Sequence, residues 1–135
     1  MVIASMFSYA LAVYFFTLQP VYSLDCALGT YQSPQNDETC VDCPAGRWSD
    51  VQGLTASFQC KYCVAGRYSL ESGKQDDTHC KACDKGRYAD HRGSVECSNC
   101  TVGRYAPNVG TVVCEACSGT VVDRTSCLAE CEIGY

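Results

Sequence analysis

Cys40-Val41-Asp42-Cys43-Pro44-Ala45-Gly46-Arg47-Trp48 is a stretch that this chain writes several times over. The C-x-x-C pair returns as Cys60/Cys63, Cys80/Cys83, Cys97/Cys100 and Cys114/Cys117, and a lone Cys26 stands in front of the series. After Cys26, Cys43, Cys63, Cys83 and Cys100 a Gly follows three residues on (Gly29, Gly46, Gly66, Gly86, Gly103). An aromatic follows five residues on (Tyr31, Trp48, Tyr68, Tyr88, Tyr105), and Asn36, Gly53, Gly73, Gly93 or Gly110 stands ten residues on. A chain that repeats itself this closely is an array of small units, and the unit decides what the cysteines are for.

The lone Cys26 places the unit boundary. It is followed by Gly29, Tyr31 and Asn36, so it behaves like the second cysteine of a later pair. Each unit therefore opens on the second cysteine of a C-x-x-C and closes on the first cysteine of the next, with a two-residue junction between. The chain divides into a signal peptide at 1–23 and modules at 24–42, 43–62, 63–82, 83–99 and 100–116. A degenerate module at 117–130 and the start of a truncated one at 131–135 complete it. Modules come in a shorter and a longer form, and the difference lies between the turn residue and the closing cysteine. Insertions confined to one loop are what a fixed scaffold tolerates. Gly at the tenth position, with Asn36 as its one substitute, predicts a backbone held at positive φ. The aromatic is expected to pack on a disulfide and on the next module, as core.

Composition separates two materials. Met1 to Leu18 is apolar apart from small hydroxyls, and Val21-Tyr22-Ser23 offers small residues before Leu24, which reads as a secretory signal peptide with its helix. All thirteen cysteines lie beyond it, a density that marks a disulfide scaffold. Large aliphatics are sparse and follow no helical period, so covalent staples stand in for a single core. The net charge of −5, with Lys and Arg spread thinly along the modules, argues against nucleic acid as a partner. Junctions of two residues force successive modules to touch, which predicts an elongated tandem array.

The spacing from Cys40 to Cys63 also fits a zinc site. Against it stand the oxidising destination, the continuous series without grouping into fours, and Cys26 left over. A thioredoxin-type dithiol needs its first thiolate at a helix start, whereas the first four pairs here run into Gly-Arg-aromatic, which is turn and strand vocabulary. Closure within modules would join Cys26–Cys40, Cys43–Cys60, Cys63–Cys80, Cys83–Cys97 and Cys100–Cys114. Each such bridge is worth about 3 kcal/mol in the chain-entropy model. A ladder skipping between modules competes, because spacing does not decide connectivity.

Cys26 to Cys40, with its C-x-x-G-x-aromatic opening, resembles the first half-module of tumour-necrosis-factor-receptor cysteine-rich domains. The uninterrupted tandem, clearest from Cys43 to Trp48, is more similar to the ephrin-receptor-like cysteine-rich repeat. The resemblance covers Cys26 to about Cys117 and implies nearest-neighbour pairing in an extracellular protein. The chain lacks the C-x-x-C-x-x-C cluster of full receptor domains, so the resemblance does not extend to death-receptor-type cytokine binding.

Beyond Cys117 the register decays: Gly119 comes early, no aromatic follows, and Cys127 arrives where a turn residue belongs. Cys117–Cys127 is read as a shortened module, and Cys131 opens a further unit whose closing partner is expected downstream. Arg47, Arg67, Arg87 and Arg104 stand between the Gly and the aromatic, a candidate basic ladder for acidic groups on a partner. Asn99-Cys100-Thr101 is a glycosylation sequon. Neither His79 nor His91 has a repeated nucleophile or carboxylate beside it, and no catalytic motif is visible.

The expected fold is small and disulfide-rich, mostly irregular with short β-hairpins, in an elongated tandem of cysteine-rich modules after the signal helix. The expected function is non-enzymatic: a receptor-like or adhesive ectodomain, secreted or on the extracellular face of the cell surface, that binds another protein. The alternatives are a surface-coat or stalk protein and, behind these, a zinc-binding or thiol-redox protein. No cofactor and no nucleic acid is expected, and membrane contact is expected only through an anchor outside this chain.

Overall fold

The computed structural model describes residues 24–35 and 38–128. The expected signal helix, Asn36 and Cys131 lie outside the described residues. Six disulfides join Cys26–Cys40, Cys43–Cys60, Cys63–Cys80, Cys83–Cys97, Cys100–Cys114 and Cys117–Cys127. We number the disulfide-closed loops one to six.

Each loop carries one two-stranded antiparallel hairpin. Strand β1 (Thr30–Gln32) pairs with β2 (Cys40–Asp42), β3 (Arg47–Trp48) with β4 (Lys61–Tyr62), and β5 (Arg67–Tyr68) with β6 (Lys81–Ala82). Strand β7 (Arg87–Tyr88) pairs with β8 (Ser98–Asn99), β9 (Arg104–Tyr105) with β10 (Glu115–Ala116), and β11 (Thr120–Asp123) with β12 (Ser126–Leu128). In loops two to five the second strand is the pair of residues between the two cysteines of C-x-x-C, and in loop one it is that pair together with Cys40. The sequence reads those residues as linkers; they are strands because the next opening cysteine donates its N–H back to the preceding Gly carbonyl. Cys63 N to Gly46 O, at 2.9 Å, is one instance.

The third-position glycine makes the hairpin start. Arg47 N donates to Pro44 O at 3.0 Å while Gly46 holds φ +76, the signature of a type II turn, which needs positive φ at its third residue. The tenth-position glycines also hold positive φ, Gly53 at +71 and Gly73 at +69. In the second and third loops the cysteines are 17 apart rather than 14, and the surplus forms a single 3₁₀ turn, Ser57–Gln59 or Asp77–His79. The Gln59 side chain accepts from Thr55 N and Ala56 N, and the Asp76 carboxylate accepts from Thr78 N, so each turn is capped by its own residues.

Stacking between loops follows a fixed register. At the first four steps the third-position Gly N–H donates to the carbonyl of the residue after the next loop's aromatic: Gly29 to Ser49, Gly46 to Ser69, Gly66 to Ala89 and Gly86 to Ala106. In return the next loop's turn glycine donates to the opening cysteine: Gly53 to Cys26, Gly73 to Cys43, Gly93 to Cys63 and Gly110 to Cys83. A third bond runs from the residue after the aromatic to the residue after the turn, as in Ser49 N to Lys74 O at 2.9 Å. Backbone is thus satisfied across loops as it would be across strands of a sheet.

Among the described residues the buried apolar side chains are cysteines together with Leu54, Ala89 and Ala106. The half-buried aromatic lies on the following loop's disulfide: Tyr31 packs on Cys43 and Cys60, Tyr68 on Cys83 and Cys97, and Tyr88 on Cys100 and Cys114. The interior is a series of small cystine–tyrosine clusters, too small to hold without the cross-links.

Candidate interaction surface

The guanidinium groups of the repeated arginines are partly employed inside their own loops. Arg47 donates from Nη1 to Ser57 O at 3.0 Å, Arg67 to Cys80 O at 3.1 Å, and Arg104 to Cys114 O at 3.0 Å. Arg87 departs from the pattern because its Nε donates to Asn99 Oδ1 at 3.2 Å, which brings two of the sequence candidates together. Arg47 is half-buried and stacks on Tyr62, 4.2 Å from the ring centroid, while Arg67, Arg87 and Arg104 are exposed. Among the described residues, one guanidinium N–H of each of those three has an acceptor: the Cys80 carbonyl for Arg67, Asn99 Oδ1 for Arg87 and the Cys114 carbonyl for Arg104.

Tyr62 is a contact that pattern reading passes over. Its ring also takes Arg92 at 4.8 Å and lies against Gly93, so a junction side chain after the second loop packs on the turn of the fourth. Asp42 does the same one step earlier, accepting from Ser72 Oγ at 3.3 Å. The exposed apolar side chains are spread rather than gathered: Phe58 stands on the second loop, Val64 and Leu70 on the third, and Val102 on the fifth. The acidic turn residues are committed locally. Asp76 is held below its ordinary value of 3.8 first by the Thr78 hydroxyl and then by the Thr78 N–H, and Asp123 is lowered in the same order by Thr125. Among the described residues no group of His, Cys, Asp and Glu could hold a metal ion, and no helix is long and apolar enough to cross a membrane.

Two shallow clefts meet at the last step of the array. One, of about 480 Å³, is lined by Cys100, Val102, Gly103, Arg104, Val121 and Arg124 among others. Its neighbour, of about 550 Å³, includes Lys85, Arg87 and Asn99 and shares Asp123 and Arg124 with the first.

Residues 86–131 match the family model described as tyrosine-protein kinase ephrin type A/B receptor-like. The run of disulfide-bonded modules fits an ephrin-receptor-like cysteine-rich repeat. The ephrin-receptor-like domain of the matched family is an extracellular, non-catalytic module. The matched segment covers most of the fourth loop and all of the fifth and sixth, and with them every lining residue of the two clefts except Lys85. No curated protein matches the chain.

Proposed function

We propose that this chain is part of a receptor-like or adhesive ectodomain, secreted or displayed at the cell surface, whose stacked modules bind another protein. The observation that carries the reading is the backbone register between loops within an ephrin-receptor-like repeat. Loops stapled to one another in this way present side chains of successive modules at a fixed spacing, and such pre-organisation lowers the entropic cost of binding. In this reading the units are those that the sequence register divides, at 24–42, 43–62, 63–82, 83–99, 100–116 and 117–130. Arg67, Arg87 and Arg104, with Arg47 at the edge, offer guanidinium N–H groups to acidic side chains of the partner. Asn99 is exposed, so a glycan there would shield one side of the array and leave the others for contact.

A stalk or coat is the second reading, favoured by the contacts between each loop and the next but one, which stiffen the array. Labelled, disulfide-intact chain applied to intact cells separates the two. Saturable binding that disappears after reduction and alkylation supports the ectodomain reading; binding that never saturates supports the stalk.

A further inference from the structure

At each of the first four steps, the third-position glycine N–H and the opening-cysteine carbonyl are paired by the loop that follows. The fifth step differs. Ala106 N still donates to Arg124 O at 2.8 Å and Cys117 N to Gly103 O at 2.9 Å. Gly103 N and Cys100 O, however, have no partner among the described residues. The physical cause is the length of the sixth loop. Cys117 and Cys127 are only 10 apart, so the hairpin β11–β12 turns back before it supplies the two missing groups.

A cleft opens at that place, lined by Cys100 and Gly103 themselves. Gly103 keeps the φ of +79 that its counterparts use for stacking, and among the described residues, its own chain neighbours aside, no atom lies within 4 Å of where its side chain would begin. Val102 stands fully exposed beside it, with Val121 across the cleft. The rim is basic: Arg104 and Arg124 border this cleft, and Lys85 and Arg87 border the one that adjoins it. Asp123 is the one carboxylate shared by both clefts, and Thr125 and Ser126 occupy its Oδ1.

We propose that this slot receives an extended acidic segment of a protein partner, which adds as a short strand. The segment supplies a carbonyl to Gly103 N–H and an N–H to Cys100 O, an apolar side chain to Val102 and Val121, and carboxylates to the Arg and Lys rim. Backbone pairing gives the affinity and the alternating side chains give the selectivity, as in strand addition to an open sheet edge. The inference rests on the ectodomain reading and names the partner chemistry for it.

The probe is a terminally blocked hexapeptide alternating Glu and Val, with a Lys and Val peptide as control, added to the ¹⁵N-labelled, disulfide-intact full chain. In the free protein the Gly103 amide exchanges fast while the Gly86 amide, paired with Ala106 O, is protected. The Glu–Val peptide shifts the Val102 and Gly103 amides and slows Gly103 exchange; the Lys–Val peptide does neither. Val102→Lys and Arg124→Glu, at exposed side chains, each weaken the effect by about tenfold, with Gly86 protection as the internal check that the stack is intact. Equal response to both peptides, shifts confined to other loops, or a Gly103 amide already protected would overturn the proposal. Protection that grows with protein concentration would assign the slot to a second copy, and protection independent of it to this chain's own residues 129–135. If Val102→Lys leaves saturable cell binding intact, this inference fails and the ectodomain reading stands. If saturable binding is absent while the Glu–Val peptide still protects Gly103, the ectodomain reading fails and the slot stands.

Discussion

The carbonyl oxygen of Gly93 lies 2.2 Å from the point that a Cβ on Gly46 would occupy. Gly46 belongs to the second disulfide loop and Gly93 to the fourth. The same approach joins Gly29 to Gly73 and Gly66 to Gly110, at 2.4 and 2.2 Å. Each of the first three loops therefore packs on the next loop and on the one after it. Simple solenoids stack only nearest neighbours; here backbone meets backbone two units on.

Gly46→Ala meets two penalties, a positive φ and a collision with backbone that has no side chain to swing away. We expect a loss of several kcal/mol, beyond the roughly 1–2 kcal/mol of a left-handed alanine alone. Gly103→Ala has the same φ but open space, so it should lose only the smaller amount. Thermal unfolding of the oxidised variants checks this. Equal losses at the two positions would remove the contact between alternate loops from the account.

In loops two to five the residue after the aromatic is small: Ser49, Ser69, Ala89 or Ala106. Ser49 is 1% exposed and Ala106 0% exposed, each enclosed by the next loop's turn. Ala106→Leu is expected to destabilise by about 1–3 kcal/mol through overpacking. It should also expose the Gly86 amide, which bonds Ala106 O, to faster hydrogen exchange. Unchanged Gly86 protection would contradict the enclosure.

Asp76 holds the 3₁₀ turn before Cys80, and its pKa is lowered from 3.8 by the Thr78 hydroxyl first and the Thr78 N–H second. A carboxylate with a depressed folded-state pKa contributes stability above its unfolded value, and that contribution disappears as pH falls through the folded value. Carboxyl NMR titration should place the Asp76 midpoint below 3.8, and Thr78→Val should bring it back toward 3.8. A midpoint unaffected by Thr78→Val would assign the shift elsewhere.

The disulfide-rich tandem of short hairpins and its ephrin-receptor-like character were legible in the register alone, because cysteine, glycine and aromatic recur at fixed offsets from Cys26 onward. The positive φ at Gly53, Gly73, Gly93 and Gly110 was legible for the same reason. The role of Gly46 in a type II turn was not separated from general glycine richness, although Pro44-Ala45-Gly46 contains the turn signal. Contacts such as Gly29 with Gly73 and Tyr62 with Gly93 were illegible, since they follow from how loops rotate on one another rather than from spacing. The arginines illustrate the remaining gap. Alternation along a strand places Arg67 opposite the ring of Tyr68, but only the fold brings the Cys80 carbonyl within 3.1 Å of its Nη1. That Gly103 N–H has no partner among the described residues depends on the shortened sixth loop, which the early Gly119 and displaced Cys127 signalled without locating the consequence.

Proteolysis of the oxidised, unreduced protein followed by mass spectrometry of the linked peptides tests the central claim most directly. The account predicts pairs joining Cys43 with Cys60, Cys63 with Cys80, Cys83 with Cys97 and Cys100 with Cys114, together with Cys26–Cys40 and Cys117–Cys127. A peptide joining Cys43 to Cys80, or reactive thiols accompanied by released zinc, would contradict it.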